Sequence, residues 1–139
     1  MIAIRRAMDR DLGPVLELAR EFVTSYALDE EVFRASFFEL VGSANIFFAV
    51  AEQDAQIVGY LLGNIHLTLY ANGRVAWVGE IMVDASHRRQ KLGEALMSSF
   101  EAWAKENGAT EVNLATRRAG EFYLALGYVE SATYFKKRL

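Results

Sequence analysis

The sequence contains no cysteine, one proline and two histidines in 139 residues. Without cysteine there is no disulfide framework and no thiolate metal site. His66 and His87 lie far apart in sequence, so a structural zinc site is not expected and metal is left out of the chemistry. Long apolar runs are missing too. The longest, Ile57 to Tyr70, is broken by Gly59, Gly63, Asn64 and His66, which does not suit a membrane-spanning helix. The opening "MIAIRRAMDRD" meets charge after a few apolar residues and has no signal-peptide core. These absences predict a cytoplasmic chain with no membrane partner. An excess of positive charge is also lacking: the formal charge is -3, whereas nucleic-acid binding needs a basic surface to displace counterions.

What is present is enough apolar material for one core. Hydrophobic residues make up 53% of the chain, and no repeat or Pro/Gly-rich linker divides it, so residues 1–139 are expected to form one domain. "IAIRRAM" alternates as a short strand. Asp9 or Asp11 can cap a helix from Leu12 to Tyr26, in which Pro14 is tolerable because it lies in the first turn. A second helix starts at Asp29, Glu30 and Glu31 and stops near Gly42. Three strand-like segments follow, "NIFFAVAE", "QIVGYLLGNIHLTLY" and "VAWVGEIMVD", and Asn72-Gly73 favours a tight hairpin between the last two. From Lys91 to Asn107, Leu92, Leu96, Phe100 and Trp103 then recur at helical spacing, and Gly108 ends the helix. A strand "TEVNLAT", a short helix "RRAGEFYLALG" and a final strand "YVESATYFKKRL" complete the order β-α-α-β-β-β-α-β-α-β. This pattern describes an α/β mixed sheet with helices on both faces.

One stretch conflicts with simple helix electrostatics. In "VDASHRRQKLGEALM", Arg88, Arg89 and Lys91 stand at a helix N-terminus, the end where the macrodipole is already positive. A bound anion resolves the conflict, because free N–H groups, the dipole and guanidinium groups all converge on it. Gly93 in the first turn lets phosphate oxygens approach or merely eases packing, and sequence alone leaves both readings open. The basic run Lys136 to Arg138 reads as a solvated face. Asp84, Ser86 and His87 invite comparison with a catalytic triad, but three groups within four residues cannot line up as nucleophile, base and orienter.

Arg88-Arg89-Gln90-Lys91-Leu92-Gly93 looks like a Gln/Arg-x-x-Gly-x-Gly/Ala loop for acetyl-CoA, and "EFYLALGYVE" looks like a late helix-to-strand segment bearing a general acid. On these two motifs and the element order, nearly the whole chain resembles the GNAT superfamily of N-acetyltransferases. The resemblance implies an α/β (α+β mixed) fold, with a central mixed sheet of six to seven strands flanked by four helices. It implies acetyl-CoA as co-substrate, held by Ile81, Met82 and Val83 on a splayed strand, by Arg88, Arg89, Gln90, Lys91, Leu92, Gly93 and Glu94 at the helix start, and by Asn113 and Thr116 on the flanking strand. A backbone N–H of Met82 or a neighbour would face the oxyanion. Lys91 departs from the usual glycine, exchanging close backbone approach for an extra ammonium.

Two residues are candidates for proton transfer. Tyr123, at the position of the family's frequent general acid, would protonate the thiolate, although it also falls on the apolar stripe Ala119, Phe122, Tyr123, Leu126. Glu80 would deprotonate the acceptor amine, or else pair with a nearby arginine; in "WVGEIMV" it is expected to share a strand face with Val78 and Met82. The expected partner is a small-molecule or peptide amine, entering between residues 26–31 and a last hairpin with Tyr134. Asp29, Glu30 and Glu31 would attract its cation, or serve only as an acidic helix start. "HLTLY" with Asn72-Gly73 forms a further wall or a homodimer contact. A CoA-binding sensor without turnover and transfer of a larger acyl group are the alternatives.

Overall fold

The computed structural model describes residues 1–23 and 25–139. Among these residues five strands form one open sheet in the order β1-β2-β3-β4-β5. They are β1 (Ile2–Arg6), β2 (Ile46–Gln53), β3 (Gln56–Leu67), β4 (Arg74–Val83) and β5 (Ala109–Leu114). The first four run antiparallel, and β5 pairs parallel to β4. Among the described residues four helices flank the sheet: α1 (Leu12–Phe22), α2 (Glu30–Val41), α3 (Leu92–Glu106) and α4 (Gly120–Ala125).

Each face of the sheet carries its own core. On one, Leu92, Leu96, Met97, Phe100 and Ala104 of α3 and Tyr123 of α4 cover Ala51, Val58, Leu61, Ala76 and Val78. On the other, Val15, Leu18 and Ala19 of α1 and Phe37 of α2 cover Phe48, Val50, Tyr60 and Met82. Close approach is necessary at Gly63, where an added Cβ would lie 2.5 Å from the Phe100 ring and 2.9 Å from the Trp77 carbonyl.

The six to seven strands implied by the resemblance are five among the described residues, because no strand follows α4. The segment Tyr128 to Leu139 contains no Gly, Pro, Asn or Asp to turn it back on itself. It therefore forms no hairpin with Tyr134, and every residue from Val129 on is exposed. The first helix ends at Phe22 rather than Tyr26, with Val23 already extended; Val23, Thr24 and Ser25 are poor helix formers, and Thr24 lies outside the described residues. Asp11 occupies the cap position of α1 without a side-chain cap bond, since its carboxylate is taken by Arg5 at 2.8 and 3.0 Å and by the Met8 N–H. Asp29 does cap α2, accepting from the N–H groups of Glu31 and Val32. The connection from β3 to β4 is a six-residue loop, Thr68 to Gly73, with Asn72 at φ 59°, rather than a tight two-residue turn.

Candidate active site

Strand β4 changes character halfway along. Arg74 to Val78 pair with β3 on one side and with β5 on the other, and the parallel ladder ends at Val78 opposite Leu114. Beyond it, Glu80 to Val83 pair with β3 only. A bulge marks the change: Leu62 faces Glu80 and Gly63 faces Val78, which leaves Gly79 as the extra residue. One extra residue reverses the alternation. Val78 packs on the α3 side, whereas Glu80 is paired with Leu62 and Met82 with Tyr60, all on the α1/α2 side. The expectation that Glu80 shares a face with both Val78 and Met82 thus holds for Met82 and fails for Val78.

The ladder also sets which backbone groups are free. The Asp84 N–H donates to the Val58 carbonyl at 2.8 Å, and the two residues stand directly opposite each other. Alternation then makes Met82/Tyr60 and Glu80/Leu62 the hydrogen-bonded pairs, and turns the N–H and C=O groups of Ile81 and Val83 to the side that β5 has left. Met82, whose side chain is buried in the core, directs its N–H to β3. A polar ligand chain can complete the open edge at Ile81 and Val83.

Glu80 accepts a 2.9 Å hydrogen bond from the Tyr60 hydroxyl and has no arginine partner among the described ion pairs. Tyr60 is fully buried; burial, then the charge of Glu80, pushes its hydroxyl well above the ordinary tyrosine range, so it stays a donor. The only hint of Tyr60 in sequence is a tyrosine inside the apolar run "IVGYLLG", and its partner lies 20 residues away.

Tyr123 is 7% exposed and packed edge-on against Phe122 and Tyr128. Its carbonyl accepts from the Tyr128 N–H at 3.0 Å, which locks the end of α4. Burial raises the Tyr123 hydroxyl above the usual tyrosine pKa, keeping the proton in place at neutral pH. The neighbouring Tyr128 donates instead to Glu101 at 2.6 Å.

Between β4 and α3 the chain turns through the basic loop. Ser86 donates to Asp84 at 2.8 Å, and His87 Nδ1 lies 2.9 Å from the same carboxylate oxygen. The Ser86 bond first, then His87, hold Asp84 below the ordinary carboxylate range. Asp84 meets both partners directly, so the group braces a turn and is no serine-histidine-aspartate relay. Arg89 and Lys91 then adopt φ 71° and 61°, a left-handed conformation costing a non-glycine residue about 1–2 kcal/mol. Left-handed residues at alternate positions bring successive N–H groups toward one anion.

At the head of α3, Lys91 supplies no side-chain cap, and the first helical bond runs from the Ala95 N–H to the Lys91 carbonyl. The N–H groups of Leu92, Gly93 and Glu94 therefore have no helical acceptor. Arg88, Arg89, Gln90, Lys91 and Glu94 are exposed, while the Leu92 side chain is buried in the core. No described ion pair engages Arg88, Arg89 or Lys91. An added Cβ on Gly93 would meet the Phe122 ring at 3.2 Å, so a side chain here would crowd α4 and push that ring aside by a few tenths of an ångström.

The two expected pantetheine contacts on the flanking strand separate. Asn113 is opposite Trp77 on the α1/α2 side, and the Thr116 hydroxyl accepts from the Ala119 N–H at 3.1 Å, closing the turn before α4. No described helix is long and apolar enough to cross a membrane.

Comparison with known proteins agrees with this architecture. The model of the acetyltransferase (GNAT) family matches residues 13–128. An aminoalkylphosphonate N-acetyltransferase of Salmonella typhimurium is 30% identical over 143 residues, covering 98% of this chain and 90% of that protein. Among solved structures, an acetyltransferase of Trypanosoma brucei superposes with a TM-score of 0.86 at 23% identity over 100% of both chains. An aminoglycoside N-acetyltransferase in complex with CoA does so with a TM-score of 0.85 at 18% identity, over 100% of this chain and 96% of that one. With its strand split ahead of an uncapped basic helix start, the chain belongs to the GNAT family of N-acetyltransferases.

Proposed function

We propose that this single domain transfers the acetyl group of acetyl-CoA to a small primary amine by direct attack, in the cytoplasm and without a covalent enzyme intermediate. The observation that carries this reading is the half of β4 beyond Gly79, where backbone edge, carboxylate and anion loop meet in sequence order. The pyrophosphate sits on the N–H groups of Leu92 to Glu94 with Arg88, Arg89 and Lys91 around it. Pantetheine continues β4 as a strand would, along Ile81 and Val83.

The charge that develops on the thioester oxygen needs a fixed donor, and the Ile81 N–H, free of β3, is better disposed than that of Met82. An alkylammonium with a reference pKa of about 10.4 must lose a proton before it attacks. Glu80 takes that proton, oriented by the Tyr60 hydroxyl. Tyr123, still protonated, gives one to the departing thiolate. The Salmonella relative is named for aminoalkylphosphonates, and a short amine with an oxyanionic end is the acceptor we favour.

Calorimetric titration with acetyl-CoA, followed by turnover with 2-aminoethylphosphonate, tests this. Binding that needs the pyrophosphate, and turnover that falls in Tyr123→Phe at unchanged acetyl-CoA affinity, are expected. Binding without transfer to any amine would replace the enzyme by a CoA sensor, and a fully active Tyr123→Phe would return that residue to the core alone.

A further inference from the structure

On the α1/α2 side of the sheet, three side chains stand in one row across three strands. Asn64 is opposite Trp77 between β3 and β4, and Trp77 is opposite Asn113 between β4 and β5. Ala76, Val78, Val112 and Leu114, their strand neighbours, pack toward α3, so alternation turns Trp77 and Asn113 to the other face. Asn64 shares that face with Ile46, its partner on β2, which packs on the α1/α2 core.

All three residues are half-buried. No hydrogen bond among the described residues engages their side chains, and none of their polar atoms is sealed from solvent. The other tryptophan, Trp103, stacks with Phe47 and Phe100 in the α3 core, while Trp77 belongs to neither core. The helical layer reaches Tyr60, Met82, part of Leu62 and, at the β2 end of this row, Ile46, but it does not include Trp77. Glu80 opens onto the same face, just past the bulge. One row further on, His66 and Glu111 flank Val75.

An indole beside two uncommitted carboxamides offers five N–H donors and one flat apolar surface. No charged group stands in the row itself. We propose that Asn64, Trp77 and Asn113 form the second anchor of the acceptor. The indole covers the carbon spacer, the N–H donors hold an oxyanion at its far end, and the amine nitrogen lies at Glu80. The acceptor class is thus short amines ending in phosphonate or carboxylate, an inference that rests on the acetyltransfer reading above.

The test uses Trp103→Phe, which leaves Trp77 as the only indole, with acetyl-CoA and three amines: 2-aminoethylphosphonate, β-alanine and ethanolamine. The oxyanionic amines should show KM at least about tenfold below that of ethanolamine, the size expected for a hydrogen bond to a charged group. They should also change Trp77 emission with midpoints that follow KM. A preference between the two identifies phosphonate or carboxylate. Asn64→Asp and Asn113→Asp, close in shape, should each raise KM for the oxyanionic amines by about tenfold, with no such rise for ethanolamine, whose cation the new carboxylate attracts, and with the Kd of acetyl-CoA unchanged.

Equal KM for all three amines, silent Trp77 emission during turnover, or Asp variants that weaken acetyl-CoA instead would overturn the second anchor while acetyl transfer stands. Transfer to no amine would remove the enzyme reading and this inference with it.

Discussion

The two halves of β4 are made of similar residues and do opposite things. Arg74 to Val78 are held by strands on both sides and bury Ala76 and Val78 under α3. Glu80 to Val83 keep the β3 partner, lose β5, and place a carboxylate beside an unpaired backbone edge. The difference comes from Gly79, whose extra length bends the strand and switches its faces. A closed half fixes the position of the open one, so stability and function should separate along a single strand.

Proline substitutions at adjacent positions break the comparison most sharply. Met82→Pro removes an N–H given to β3 and a buried side chain, and should cost about 3 kcal/mol or more, read as a large drop in Tm. Ile81→Pro removes an N–H that faces the open edge, where proline is tolerated, so most of the Tm should remain while kcat falls by about 10²–10³. A larger loss of Tm in Ile81→Pro than in Met82→Pro would mean that the two N–H groups point the other way, and equal losses that β3 does not distinguish them.

Opposite the closed half, on β3, Gly63→Ala drives a methyl into Phe100 and the Trp77 carbonyl and should lower stability by about 1–3 kcal/mol, measured by denaturant unfolding. Its kcat per folded molecule should hold. In the open half, Arg88→Ala should weaken CoA by about 1–3 kcal/mol with Tm unchanged, as calorimetry can determine; an unaltered Kd would take Arg88 out of the anion site. The smallest effect is expected for Lys91→Gly. Relief of its left-handed backbone is worth about 1 kcal/mol or less, so Tm should rise slightly, and a fall in CoA affinity would show that the ammonium, as well as the backbone, meets phosphate.

Much of this was legible in the chain itself. Helical periodicity placed α3 from Lys91 to Asn107, one residue beyond Leu92–Glu106 at each end, the acidic start at Asp29 marked the head of α2, and Arg88 to Gly93 carried the conflict with the helix dipole that pointed to an anion. These are local properties, settled by residues within one or two turns of each other. The readings that failed required distant partners. Asp11 was lost as a cap because Arg5 claims it from another element, and the last segment forms no strand, since a strand exists only through a neighbour.

Sequence by itself determined the element order as far as α4, the absence of cysteine and the basic loop before a helix. Tertiary structure alone decided that Glu80 faces Tyr60 and not the side of Val78, that Ile81 and Val83 own the free edge, and that Asn113 stands with Trp77 and Asn64. The physical reason is that a strand's faces and free hydrogen bonds are counted from its partners. One unpaired residue, Gly79, changes that count for everything after it.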